Sequence, residues 1–268
     1  MTYLYILILI PLITFVYMRF EATVLKTNRI YFTKSKDHLK VIHLSDIHIK
    51  FLKISVKKLY RILVKEQPDI VIITGDYISN IDEVPKFMDF LEQIIGKYSI
   101  YMCFGNHDYR TLQNSETKID QFKALIESKG AHVLLNDSVS FKKNTKTYNI
   151  IGIGDLRMQQ HDIQKALNAS SKEAHLNIAF SHNPDIVFEI NSGKVDYLLC
   201  GHFHGGQIWA PFNLEFKLLR NEQLCKMGIV KGTHKVNNII LYINRGLGNV
   251  IVPLRFLSPP EVAVFYFP

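Results

Sequence analysis

The fold can be read from three segments of the chain: VIHLSDIH (Val41–His48), IVIITGD (Ile70–Asp76) and SIYMCFGNHD (Ser99–Asp108). Each begins with a short apolar run and continues into carboxylate, amide or imidazole side chains. Continuous apolar runs of this kind are typical of strands buried on both faces of a parallel sheet. Between the runs, at 56–64 and 84–95, apolar residues recur at helical spacing. The stretch therefore predicts successive βαβ units.

The rest of the chain extends this pattern with a less regular middle. Residues 132–153 hold short strand-like runs without a helical period. Strand-like runs return at His175–Phe180 and Val195–Cys200, with a helix predicted after Pro184, and the C-terminal part is rich in short strands. No repeat, low-complexity stretch or long linker divides the body. We therefore predict one α/β domain with a mixed sheet over residues 21–268.

The N-terminal segment Tyr3–Met18 (YLYILILIPLITFVYM) carries no charge. With its neighbours it makes a helix of roughly 27 Å, barely enough for a hydrocarbon core of about 30 Å. No basic residue precedes it and no small-residue cleavage site follows, which favours an uncleaved membrane anchor at residues 1–20 over a cleaved signal peptide or a buried helix. Basic residues follow the segment, so the positive-inside rule predicts that the body of the protein lies at the cytoplasmic face of the inner membrane, against its anionic leaflet.

The net charge of +8 is spread along the chain. Such a surface fits nucleic acid, anionic lipid or an anionic substrate. No compact arginine-rich block interleaved with aromatic residues occurs, so nucleic acid is not expected as a partner. Cys103, Cys200 and Cys225 form no CxxC pair, and we predict reduced, buried cysteines.

Polar residues follow five of the predicted strands, and ligands of α/β sheets bind at that end of the strands. Each motif alone has an ordinary explanation as a turn, a helix cap or a structural histidine. Three oxygen-bearing side chains, however, lie 30 residues apart, one βαβ unit per step. Together with the histidines they form a ligand set for two divalent metals with one shared carboxylate. The candidate ligands are Asp46, His48, Asp76, Asn106, His182, His202 and His204.

These blocks, D-x-H, G-D, G-N-H-D, H and G-H-x-H, resemble in order the calcineurin-like metallophosphoesterase superfamily, and most of all its bacterial membrane-associated branch. Further likeness lies in SHNPD (Ser181–Asp185), GHFHGGQ (Gly201–Gln207) and INRGLG (Ile243–Gly248), followed by PLRF and PPEV. The resemblance covers residues 31–264. One departure is Phe203, where this branch often has Thr.

The resemblance implies a four-layer α/β/β/α sandwich and two metal ions, with Mn²⁺ expected and Fe or Zn²⁺ as alternatives. It assigns one metal to Asp46, His48 and His204, and the other to Asn106, His182 and His202, with Asp76 as the bridge. It also implies a hydroxide between the metals that attacks phosphorus in line with the leaving group.

Three further residues receive roles from the same resemblance. His107 is expected to stabilise the transition state or protonate the leaving oxygen, and Asp108 to orient His107. Arg245 is expected either to contact phosphate or to bond loop carbonyls as a structural arginine.

The substrate is the least determined part of the hypothesis. A membrane anchor favours a lipid-linked substrate, and related enzymes include the UDP-2,3-diacylglucosamine pyrophosphatases of lipid A synthesis. The alternative is a general phosphodiesterase acting on soluble nucleotides or other phosphate esters, because one site can serve both. A catalytically silent binding module would lack a ligand or the outer histidine, and this sequence lacks neither.

Overall fold

The computed structural model describes residues 2–210 and 214–268. Within them, the helices are α1 (Thr2–Glu21), α2 (Val56–Glu66), α3 (Val84–Ile94), α4 (Asn106–Thr111), α5 (Glu116–Glu127), α6 (Ile163–Asn168), α7 (Leu214–Leu219) and α8 (Gln223–Lys226). The strands are β1 (Lys26–Tyr31), β2 (Leu39–Ser45), β3 (Ile70–Thr74), β4 (Ser99–Cys103), β5 (His132–Val133), β6 (Asp137–Lys143), β7 (Lys146–Gly152), β8 (Leu176–Phe180), β9 (Tyr197–Cys200), β10 (Gly232–Val236), β11 (Ile239–Ile243) and β12 (Glu261–Phe267).

The first sheet has the order β1-β12-β2-β3-β4-β5. Strands β2 to β5 are parallel, and α2 and α3 make the crossovers between β2, β3 and β4. The C-terminal strand β12 enters antiparallel to β2 and parallel to β1. The βαβ units predicted from the sequence are therefore confirmed, and the last strand of the chain completes their sheet.

The second sheet has the order β10-β11-β9-β8-β7-β6. Its four central strands are parallel, and the antiparallel strands β10 and β6 lie at its two edges. Both sheets are thus mixed, as the sequence predicts for an α/β protein.

Three apolar clusters separate the layers. In β2 the side chains alternate: Leu39 and Val41 pack in the cluster shared by both sheets, whereas Ile42 and Leu44 pack against the helices. A third cluster, which includes Ile151 and Leu198, covers the other face of the second sheet. Helices and sheets therefore stack as the expected α/β/β/α layers. Each fully buried aliphatic side chain contributes about 1.5–3 kcal/mol to this core.

Two local expectations can be compared directly. The three cysteines are free and buried, as predicted. The helix predicted after Pro184 is only a 3-10 turn, Pro184–Phe188. The Asn183 side chain accepts a hydrogen bond from the Asp185 amide and starts the turn, and the chain leaves helical hydrogen bonding at Glu189.

The N-terminal segment requires a correction. It is helical, but its last turn rests on the domain: the Tyr17 and Phe256 rings lie 5.9 Å apart and the Arg255 amide donates to the Met18 carbonyl. None of the helices in the described part of the chain combines the length and the apolar character that crossing a membrane requires. The prediction of a spanning anchor at residues 1–20 is therefore wrong, and so is the membrane location that depended on it. Met1, which that prediction included, lies outside the described residues.

Candidate metal centre

The predicted ligands lie at the carboxyl ends of strands from both sheets. Side chains following β2, β3 and β4 come from the first sheet, and side chains following β8 and β9 come from the second. All are buried, with at most 4% of their surface exposed. The residues brought together are Asp46, His48, Asp76, Asn106, His182, His202 and His204.

One cluster consists of Asp46, His48 and His204, whose potential ligand atoms all lie within 4.8 Å of one another. His204 Nε2 is 3.2 Å from Asp46 Oδ1, and the His48 and His204 rings stack with centroids 5.1 Å apart. This is the set that the resemblance assigns to one metal.

A second cluster, with the same spacing, consists of Asp76, His182 and His202. His182 Nε2 lies 3.0 Å from Asp76 Oδ2 and 3.2 Å from His202 Nδ1. Asp76 Oδ2 is also 3.6 Å from His48 Nε2, so Asp76 contacts both clusters. A carboxylate in that position can serve two ions.

The polar atoms without partners test whether metals fit. Among the described residues, His48 Nε2 and Asn106 Oδ1 are buried and have no hydrogen-bond partner. Leaving such a group unsatisfied costs about 1–3 kcal/mol, which a bound cation removes. The mixed carboxylate, amide and imidazole donors suit Mn²⁺, Fe and Zn²⁺. The two clusters therefore fit a dinuclear metal centre.

The charges of the centre also fit metal binding. Burial lowers the pKa of His48 to about 3 and that of His202 to about 4, so both imidazoles are neutral at pH 7. Burial alone also lowers the pKa of His182, but the Asp76 carboxylate outweighs it and raises that pKa to about 10. Although burial raises the pKa of Asp46, His204 and His182 hold it below its usual range. Ionised carboxylates and neutral imidazoles are the forms that bind metals, so His182, with its raised pKa, must release a proton when a metal binds.

The backbone at the centre is in an unusual conformation. Left-handed φ values occur at Asp46 (50°), His48 (38°), Asp76 (55°), His202 (71°) and His204 (53°). Residues other than glycine seldom adopt this region, and such residues concentrate at functional sites.

A glycine allows the closest approach between the two sheets. A Cβ added to Gly201 would run into the Ser45 hydroxyl and the Asp46 carboxylate. The glycine of the G-H-x-H block is thus required for space beside a candidate ligand.

The Asp108 carboxylate does not contact the His107 side chain as expected. Asp108 accepts hydrogen bonds from the backbone amides of Asp76, Tyr77, Ile78 and Gly105, at 2.8–3.1 Å. Its carboxylate joins the turns after β3 and β4, rather than orienting His107 as the resemblance implied.

His107 lines the cleft beside the clusters and is half-buried. Its Nδ1 is 3.3 Å from the Ser79 hydroxyl, and its ring meets His48 edge-on at 5.0 Å. Its backbone amide donates to Asp76 Oδ1 at 2.8 Å. Ser79, which sequence reasoning did not single out, is therefore a hydrogen-bond partner of the His107 ring.

Arg245 forms an ion pair with Glu261, with Nε 3.3 Å from Oε2, and does not line the cleft. Within the described residues its guanidinium thus contacts a carboxylate rather than the loop carbonyls of the structural alternative. The arginine that bonds loop carbonyls is Arg255, which is fully buried and donates to the carbonyls of Arg245, Gly246, Gly248 and Ser258.

A cleft of about 690 Å³ opens over the second cluster, lined by Asp76, Asn106, His107, His202 and His204 among others. Sequence reasoning missed several charged residues of its wall, which include Arg110, Arg157, Arg220, Glu215 and Glu222. Of these residues, only Arg110 could have been found from the sequence, because it lies three residues after His107, one helical turn along α4.

Comparisons with known proteins agree with this geometry. Residues 39–206 match the calcineurin-like phosphoesterase family. The chain is 34% identical to the uncharacterized metallophosphoesterase YkoQ of Bacillus subtilis over 85% of this chain and 83% of that protein. It is 27% identical to the UDP-2,3-diacylglucosamine pyrophosphatase LpxG of Chlamydia trachomatis, over 95% and 93% of the two chains.

A solved structure, the phosphopantetheinyl hydrolase PptH of Mycobacterium tuberculosis, superposes with a TM-score of 0.52 at 10% identity, over 84% of this chain and 98% of that one. At that identity the likeness concerns the fold alone. Family match, close relative and ligand geometry point the same way, and the chain belongs to the calcineurin-like phosphoesterase family, whose members are hydrolases of phosphoester bonds.

Proposed function

We propose that the chain hydrolyses a phosphodiester or pyrophosphate bond at this dinuclear centre. One metal would be held by Asp46, His48 and His204, and the other by Asn106, His182 and His202. Asp76, which contacts imidazoles of both clusters, would be shared. The observation that carries the proposal is that two buried ligand clusters lie 3.6 Å apart at His48 and Asp76, and that a cleft is lined by Asp76 and His202 of the second cluster and by His204 of the first.

When bound, two such cations polarise the phosphoryl oxygens and lower the pKa of a water that can attack phosphorus. The chain supplies the remaining groups. With Nδ1 of His107 held by Ser79, the other ring nitrogen is left for the oxygen of the leaving group. Asp108 fixes the turn that carries Asp76, because it accepts the Asp76 amide at 2.8 Å. Mn²⁺ is the proposed metal, supported by the mixed oxygen and nitrogen donors.

Three arginines give the cleft its affinity for anions. Arg110, Arg157 and Arg220 all line it. A guanidinium can bind phosphate oxygens through two parallel hydrogen bonds, which fixes orientation as well as charge. Arg110 and Arg157 are placed to bind the second phosphate of a pyrophosphate substrate, the one that is not attacked, whereas the Arg220 guanidinium already donates to Glu222 and to the His202 carbonyl.

One part of the cleft wall is apolar. Ile208, Ile251 and Val252 line it and are exposed by 38%, 82% and 38%. Behind them Phe256 contacts Tyr17, so the apolar surface continues onto α1. An exposed apolar patch beside an anion-binding site suits a substrate with a phosphate head and an apolar tail.

We infer a lipid-linked substrate from that wall. The likeness to LpxG, whose name is UDP-2,3-diacylglucosamine pyrophosphatase, supports the same substrate class. The alternative, a phosphodiesterase acting on soluble esters, needs no apolar wall.

The test compares two substrates on the protein loaded with Mn²⁺: UDP-2,3-diacylglucosamine and the water-soluble bis-p-nitrophenyl phosphate. The double variant Ile251→Ser/Val252→Ser should lower kcat/KM for the lipid about tenfold or more, since the transfer energy of one aliphatic side chain is about 1.5–3 kcal/mol. Hydrolysis of the soluble diester should be unchanged. The matched control is Val64→Ser/Leu125→Ser, which changes two exposed apolar residues on α2 and α5. Equal losses on both substrates, or no activity on the lipid in the unaltered protein, would leave the soluble-ester alternative.

A further inference from the structure

The segment 214–226 carries two charged side chains to the outer edge of His202. Glu222 Oε1 lies 3.1 Å from His202 Nε2. Arg220 donates to the same carboxylate oxygen at 3.2 Å and to the His202 carbonyl at 2.9 Å, and its Nη1 also lies 3.0 Å from His202 Nε2. His202 is the only histidine of the second cluster whose outer nitrogen meets a side-chain carboxylate, within the described residues.

Packing and hydrogen bonds hold this segment in place on both sides of Glu222. Phe203, the residue that departs from the family pattern, is buried against Phe216, and the Arg220 guanidinium lies 5.5 Å above its ring. On the other side of Glu222, the Asp185 carboxylate accepts the backbone amides of Gln223 and Leu224 at 2.6 and 3.0 Å. The position of Glu222 is therefore fixed by packing and hydrogen bonds, and its side chain is only 12% exposed.

The two nitrogens of His202 have different surroundings. Nδ1 faces the cluster, 3.2 Å from His182 Nε2, whereas Nε2 faces Glu222. A nitrogen that binds a metal must offer a lone pair, so the proton of the neutral ring must then be on the other nitrogen. Glu222 can accept that proton's hydrogen bond, and Arg220 cannot. Arg220 has the carboxylate and the His202 carbonyl for its own donors.

His182 shows the same arrangement with a backbone partner. Its Nδ1 lies 3.2 Å from the Thr74 carbonyl, and its Nε2 faces Asp76. Outer partners of this kind fix the tautomer and ring orientation of metal-binding histidines, and losing one typically weakens metal binding by about 10- to 100-fold.

We propose that Glu222 is a positioning residue for the metal centre: it accepts the Nε2 hydrogen of His202 and so presents Nδ1 to the metal of the second cluster. Arg220 holds Glu222 in place, and Phe203 supports Arg220 in turn. This inference rests on the proposed function, because it concerns the same pair of metals.

The test is a titration of the metal-free full chain with Mn²⁺, following free Mn²⁺ by electron paramagnetic resonance. In the unaltered protein two binding steps are expected. Glu222→Ala should weaken one step by about 100-fold and leave the other near its normal value. Glu222→Gln keeps an oxygen acceptor without charge, so a loss of about tenfold or less is expected. Glu173→Gln, at an exposed glutamate outside the cleft, is the matched control for the change of charge.

The outcomes separate this inference from the function itself. If the unaltered protein binds fewer than two Mn²⁺, the proposed function fails. If it binds two and both Glu222 variants bind them with unchanged affinity, only the role of Glu222 is overturned. Equal weakening of both steps would also overturn it, because it would indicate a general structural effect. A positioning role further requires that turnover by Glu222→Ala recovers as Mn²⁺ is raised to saturation.

Discussion

Five of the proposed metal ligands hold a left-handed backbone conformation, which costs a residue other than glycine about 1 kcal/mol or more. The surrounding hydrogen bonds oppose that cost. The His48 amide donates to the Asp76 carbonyl at 2.8 Å, and the Asp46 carboxylate accepts the His202 amide at 3.1 Å. The strained turns therefore hold one another through hydrogen bonds of the chain itself, which fix the directions of the side chains they carry.

His107 provides a test of the division between binding metals and acting on the substrate. We expect His107→Ala to retain both metals and to lose about 10²–10⁴ in kcat, as when a general acid is removed. Metal retention is expected because the backbone amide that contacts Asp76 remains. The measurement is turnover of bis-p-nitrophenyl phosphate together with metal content. His175→Ala, at an exposed histidine, is the control. Normal turnover, or loss of metal, would assign His107 another role.

The grouping of the proposed ligand residues could be predicted from the sequence, because polar residues that directly follow buried parallel strands meet at one edge of the sheet. Their contacts could not. Asp108 was expected beside the His107 side chain, but its carboxylate is taken by four backbone amides. Glu222 lies 20 residues after His202 in a segment with no strand or helix period, so nothing in the sequence placed it near the ligands.

The loop between β11 and β12 is hydrogen-bonded to the chain segment that carries Asp46 of the first cluster. Its Leu247 and Gly248 amides donate to the carbonyls of Ser45 and Asp46 at 2.9 and 2.7 Å. Arg255 gathers the loop by donating to four of its carbonyls and to the Asn249 side chain. The C-terminal motifs that resemble the family are therefore accounted for by the shape of this loop.

Removing that arginine should cost stability. Arg255→Met leaves several buried carbonyls without donors, and we expect the free energy of unfolding to fall by about 3 kcal/mol. Urea unfolding of the metal-free protein measures the change. Arg61→Met, at an exposed arginine of α2, should change stability by no more than about 0.5 kcal/mol. Similar values for the two variants would show that the loop does not depend on Arg255.

The pattern of apolar residues predicted some strands and helices with their bounds and missed others. Strand β3 has the predicted bounds, Ile70–Thr74, since an apolar run between Pro-Asp and Gly-Asp leaves little freedom. Helix α5 was not predicted, although Ile119, Phe122 and Ile126 show helical spacing and are buried. In the N-terminal segment, length and apolar composition were read as a membrane anchor. Neither feature reveals that the last turn of α1 packs on Phe256.

In the molecule as a whole, each ligand cluster contains residues from both sheets. His204 of the second sheet joins Asp46 and His48 of the first, and Asp76 of the first joins His182 and His202 of the second. Bound ions would therefore tie the two sheets together at their strand ends. Anything that binds only the folded state stabilises it by mass action. The fold and the proposed catalytic centre would thus be coupled through the same six side chains.

The most direct test of the dinuclear centre is Asp76→Ala, since the Asp76 carboxylate lies 3.0 Å from His182 Nε2 and 3.6 Å from His48 Nε2, one imidazole of each cluster. Metal content and hydrolysis of bis-p-nitrophenyl phosphate should be measured after loading with Mn²⁺, beside Asp120→Ala, which alters an exposed carboxylate on α5. We predict that the unaltered protein and Asp120→Ala hold about two Mn²⁺ per chain and hydrolyse the diester, whereas Asp76→Ala loses metal and about 10³-fold or more of the activity. Full activity in Asp76→Ala would contradict the two-metal mechanism.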